Sequence, residues 1–153
     1  MNLKNIFPVV LCILIGFFMG NFMFNEYSAK TDTVSLTGET LYFLQAGVFS
    51  NEEEMKKEMS NFSYYIYTKE NNMYYSYVGI VKNEKNLEKL KGYFKSEGYD
   101  IYVREIFTSN ISFITVLDQY EMLLSETKDN KIIKSICNQI LSKYEELVLL
   151  DKN

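Results

Sequence analysis

The chain has 153 residues, 47% of them hydrophobic and 24% charged, with a net charge of −4 and no histidine. That length holds one globular domain plus an anchor, but not two large independent cores. The lack of histidine removes Ser–His and Cys–His nucleophilic sites and His-rich metal sites. The acidic balance is a poor match for nucleic acid or anionic lipid, which attract basic patches.

The longest apolar run covers residues 6–24, carries no charge and is interrupted only by Pro8, Gly16, Gly20 and Asn21. At ~1.5 Å per residue it covers ~28 Å, close to the ~30 Å hydrocarbon layer of a bilayer. Phe22, Met23 and Phe24 stand where a small-x-small cleavage site would be needed, so the run reads as an uncleaved anchor. Lys4 and the amino terminus precede it and Glu26 follows, which favours a cytoplasmic N-terminus and an extracytoplasmic domain in the cell membrane. Behind the anchor stand 15 basic and 20 acidic residues. Cys12 lies in the span and Cys137 far along the chain, so no disulfide framework is expected.

Four regions follow from this: a stub and anchor over residues 1–25, a polar linker over 26–40, a domain over 41–107 and a helical hairpin over 108–153. Residues 41–48 are β-like, and Ser50-Asn51 caps a helix that opens on Glu52, Glu53 and Glu54 and runs to about residue 60. Residues 63–68 and 73–81, dense in Tyr, Ile and Val, read as a β-hairpin around the polar stretch 69–72. Asn83 caps a second helix over 84–96, with Leu87, Leu90 and Phe94 on one face, and Gly98 stops it. A last strand covers 99–107.

The order βαββαβ contains an internal echo, because Gly47 and Asn51 recur as Gly79 and Asn83 at an offset of 32 residues. Two such halves predict an α+β, ferredoxin-like fold: a four-stranded antiparallel sheet with both helices on one face and the other face open. Beyond it, one apolar stripe runs from Phe113 to Leu124 and another from Ile133 to Val148, separated by a polar break over 127–131.

Alternation along the strands gathers Phe43, Gln45, Tyr65, Tyr67, Tyr75, Tyr77, Tyr102 and Arg104 on the open face. Exposed aromatic rings beside amide and guanidinium donors suit a sugar polymer: the rings take the apolar C–H faces and the donors take hydroxyl and acetamido groups. The competing reading is that the C-terminal hairpin covers this face. No catalytic residue, metal ligand or cofactor site is expected. The acidic triplet Glu52–Glu54 is explained by the dipole of the helix it opens.

The stretch Leu41-Tyr42-Phe43-Leu44-Gln45-Ala46-Gly47-Val48-Phe49-Ser50-Asn51 is similar to the first strand and turn of the SPOR (sporulation-related repeat) domain family. Tyr75-Ser76-Tyr77-Val78-Gly79-Ile80-Val81, with Leu87 to Val103 behind it, resembles the family's second repeat. The resemblance covers residues 41–106, under half of the chain. It implies a peptidoglycan-binding module that recognises glycan strands lacking stem peptides in division or sporulation envelopes. It also places Gln45 at the family's glutamine on the open sheet face. Gly79-Ile80-Val81 stands where the family has Gly-Pro-Phe, and Tyr75 where an arginine is usual, so that stacking replaces a charged donor.

Two functions are therefore expected as alternatives. One is a membrane-anchored peptidoglycan-binding protein of the cell envelope. The other is a membrane-tethered adaptor that docks an envelope protein partner through the helical hairpin.

Overall fold

The structure, a computed structural model, describes residues 38–150. The expected anchor, its orientation and nearly all of the linker lie outside the described residues. Among those described, no helix is long and apolar enough to cross a membrane.

The elements run β1 (Glu39–Phe49), α1 (Glu52–Glu58) with a 3-10 turn (Met59–Asn61), β2 (Ile66–Glu70), β3 (Met73–Val81), α2 (Glu84–Ser96) and β4 (Tyr102–Thr108). Then come α3 (Ile111–Glu126) and α4 (Asn130–Tyr144), the latter closing on a π-helical turn (Glu145–Leu149). The strands form one antiparallel sheet in the order β2-β3-β1-β4. This is an α+β arrangement compatible with ferredoxin-like topology.

Local chemistry sets the boundaries. Asn51, Asn83, Asn110 and Asp129 each accept a backbone N–H of the helix they precede, at 2.8–2.9 Å. Gly98 follows α2 at a φ of 86°, a conformation that costs a side-chain-bearing residue strain. Asn71 and Asn72 take φ values of 50° and 61°, so the β2–β3 connection is a two-residue turn and not the four-residue one expected. β4 starts at Tyr102, three residues later than expected.

α1 and α2 lie on one face of the sheet. Ser76 Oγ is 3.3 Å from the Met59 sulfur, and a Cβ added at Gly79 would meet Leu90 and Leu44 at 3.4–3.5 Å. The register shifts twice in mid-sheet. Leu44 pairs with Gly79, Gln45 with Tyr77 and Gly47 with Ser76, so Val78 bulges from β3 and Ala46 from β1. The shifts cancel, and they bring Ile80 and Val48 onto the second face beside Phe43, Tyr75 and Tyr77.

That second face is not open. The helical hairpin packs on it, and Leu41, Phe43, Ile66, Tyr77 and Ile80 are buried there. This corrects the expected free surface and bears out the competing reading. Four rings join the layers. Tyr77 meets Phe43 edge-on at 5.2 Å, Phe43 meets Tyr144 at 5.2 Å, and Tyr144 meets Phe113 at 5.0 Å. Each such edge-to-face pair adds ~0.5–1.5 kcal/mol beyond its area burial.

The far end of the hairpin is fastened to α2 by paired helix-terminus contacts. Glu121 on α3 is buried, and its carboxylate accepts the Lys82 N–H at 2.6 Å, the Asn83 N–H at 3.3 Å and the Asn86 side-chain amide. The charge therefore sits on the positive end of α2. In return the Lys89 ammonium donates to the Leu124 and Thr127 carbonyls, at the negative end of α3. Lys82 also bridges Glu39 and Asp118, tying β1 to α3.

Two substitutions test this joint. Phe43→Ala removes the central ring and is expected to cost ~3–5 kcal/mol. Glu121→Ala orphans buried donors and is expected to cost ~1–3 kcal/mol. Urea unfolding of each variant reads both values, and parental stability in either would remove that contact from the account.

Candidate functional site

The eight expected surface residues separate into three groups. Phe43 and Tyr77 belong to the core under the hairpin, at 1% and 0% exposure. Both are thereby corrected from ligand-facing to structural: they lie on the expected face, but the hairpin packs over it and sets Tyr144 against Phe43.

Tyr65 and Tyr67 are also corrected, since they do not join the cluster. The two-residue turn sets Glu70 opposite Met73 and so Ile66 opposite Tyr77, which sends Tyr67 to the α1 side of the sheet. Its ring lies 6.0 Å from Tyr74, over which Lys69 also sits. Tyr65 precedes β2, and both tyrosines stand near Lys56 of α1.

Gln45, Tyr75, Tyr102 and Arg104 do come together, on the part of the second face that the hairpin leaves uncovered. Gln45 pairs with Tyr102 across β1 and β4 and with Tyr77 across β1 and β3. The Arg104 guanidinium lies 4.8 Å from the Tyr75 ring centre, within cation–π range. The same guanidinium donates to Glu70 at 2.6 and 3.3 Å and to the Tyr77 hydroxyl at 3.0 Å. Its Nη groups are thus fixed by the end of β2, and its charge is compensated while the stacked plane stays in place. Tyr102 is 69% exposed.

Sequence reasoning missed Glu70 and Val48 as members of this platform. Glu70 falls by sequence in the polar stretch 69–72 but ends β2 opposite Met73, and Val48 reaches the face only because Ala46 bulges. The resulting surface is flat and mixed: one free phenol ring, one ring capped by a guanidinium, an amide and a carboxylate.

Two hollows lie elsewhere. A cavity of 120 Å³ sits where α2 meets α4, lined by Phe62, Tyr64, Tyr93, Phe94 and Cys137. A cleft of 330 Å³ lies beside the end of β1. Among the described residues, no group of three or more Cys, Asp or Glu side chains is placed to hold a metal. Burial pushes the Cys137 thiol up to about 12, so it stays protonated and non-nucleophilic.

Comparison with known proteins finds no matching protein-family model, no matching curated protein and no matching solved structure. The class the geometry defines is therefore structural: an α+β domain whose four-stranded sheet is sandwiched between a helix pair and a helical hairpin.

Cys137 supplies a direct check on that burial. At about pH 8, an ordinary thiol is partly ionised and is alkylated readily. Iodoacetamide is expected to leave Cys137 unmodified in the folded chain and to modify it fully in denaturant, as read by peptide mass mapping. Rapid labelling without denaturant would place the thiol at the surface.

Proposed function

We propose that this chain is a membrane-anchored, extracytoplasmic protein of the cell envelope that binds peptidoglycan glycan strands through Gln45, Tyr75, Tyr102 and Arg104. The reading takes the domain as ferredoxin-like and related to SPOR domains, with residues 6–24 holding it close to the wall polymer. It is supported chiefly by the Arg104 guanidinium layered on Tyr75 beside the exposed Tyr102. Sugar C–H faces stack on such rings, and Gln45 supplies both amide donors and a carbonyl acceptor for acetamido and hydroxyl groups. Phe43, Tyr77, Tyr65 and Tyr67 drop out of the binding set, the first two as core and the others by their position. The hairpin stays in place, because lifting it would expose the ring chain and leave Glu121 stripped of its donors.

The fragment from Glu26 onward is expected to pellet with purified peptidoglycan stripped of stem peptides. Gln45→Ala with Tyr102→Ala abolishes pelleting, whereas Tyr67→Ala does not. A fragment folded by circular dichroism that stays in the supernatant would sink the glycan reading.

A second reading, the protein adaptor, is favoured by a separate observation. Met122, Leu123 and Ile132, near the far end of the hairpin, are 60%, 47% and 49% exposed. An envelope protein docked there is lost from pull-downs by Met122→Glu with Ile132→Glu and retained by Gln45→Ala with Tyr102→Ala. Deleting the hairpin is no test, since the sheet's second face would lose its cover. Equal recovery by both double variants would exclude the hairpin as the docking surface.

A further inference from the structure

β1 is longer than its neighbour. Its pairing with β4 ends at Gln45 opposite Tyr102, while its pairing with β3 continues to Phe49 opposite Tyr74. On the β4 side, residues 46–49 therefore run on as an edge. Among the described residues, no backbone hydrogen bond joins them to residues 98–101, the segment that leads into β4. An edge of this kind presents backbone N–H and C=O groups that seek a partner strand.

The space beside this edge is the 330 Å³ cleft, bounded by the end of β1, the end of α1 and residues 98–101. That volume falls in the ~300–1,000 Å³ range typical of small-ligand sites. Met59 and Phe62 supply apolar wall, and Gly47 and Gly98 place no side chain in it. Its charged lining residues are Glu58 and Asp100, both exposed acids, and no basic residue lines it. Each carboxylate stands without an ion-pair partner among the described residues.

We propose that this cleft binds a short extended peptide carrying basic side chains, which pairs with residues 46–49 of β1 along the line that β4 leaves empty. Main-chain hydrogen bonds to β1 supply the pairing, as in strand addition to other sheet edges. Glu58 and Asp100 select lysine or arginine over acidic side chains by charge complementarity. A second copy of this acidic chain lacks that complementarity. The site adjoins the Gln45–Tyr102 platform at Val48 but uses the backbone edge of β1 and the Glu58 and Asp100 carboxylates, and it does not rest on the glycan reading.

The test uses the full chain in detergent micelles and two blocked probes, Ac-Val-Lys-Val-Lys-Val-NH2 and Ac-Val-Glu-Val-Glu-Val-NH2. The lysine peptide is expected to bind, by fluorescence anisotropy of a labelled form, and to shift the Gly47, Val48 and Phe49 amide resonances. Glu58→Gln with Asp100→Asn is expected to weaken it roughly two- to thirtyfold, the range of two exposed ion pairs, with the fold retained by circular dichroism. The same double variant still pellets with glycan, so failure here and failure of the glycan reading are distinguishable. No binding, equal binding of both peptides, equal binding by the double variant, or shifts confined to β4 would each overturn the proposal. So would amide shifts at Gly47–Phe49 that grow with protein concentration alone, which would make a second copy the occupant.

Discussion

The ring of Phe43 holds this domain together. It sits between Tyr77 of the sheet and Tyr144 of the hairpin, and through Tyr144 it reaches Phe113. A four-stranded sheet with helices on one side leaves an apolar second face, and an apolar face this large must be buried or must bind something. Here the chain buries part of it itself. The hairpin is consequently part of the core and not an appendage, which is why its apolar stripes have so few residues left to offer a partner.

What remains for recognition follows from where that cover stops. The edge of the hairpin's cover divides the second face: Phe43, Tyr77 and Ile80 are core beneath it, and Gln45, Tyr75, Tyr102 and Arg104 form the platform beside it. Arg104 spans the divide. It gives the buried Tyr77 hydroxyl a partner, pairs with Glu70 and lies over Tyr75. A buried phenol without an acceptor or donor would be costly, so the residue that completes the core also shapes the surface.

The polar joints are as consequential as the rings. Glu121 stands between Leu117 and Leu124 on the stripe that α3 buries, where an unpartnered carboxylate would be strongly unfavourable. Its place is explained by the entry to α2, where the Lys82 and Asn83 N–H groups and the Asn86 side-chain amide need an acceptor. The sequence carried a visible signal of this, an acid inside an apolar stripe, but not the identity of its partner 38 residues away.

Sequence alone determined the elements, their order and most of their ends. These depend on neighbours within a turn or two: the caps at Asn51 and Asn83, the stop at Gly98 and the alternation that set Gln45, Tyr75, Tyr102 and Arg104 on one face. It also carried the hairpin's two apolar stripes, and with them the need for a partner surface. Only the tertiary structure decided which surface that was, that the bulges would bring Ile80 and Val48 to the same face as Phe43 and Tyr77, and that a two-residue turn would put Tyr67 on the other side. The physical reason is that a one-residue shift in register reverses every side chain beyond it. Such shifts are set by contacts between residues far apart in the chain, which local periodicity does not encode.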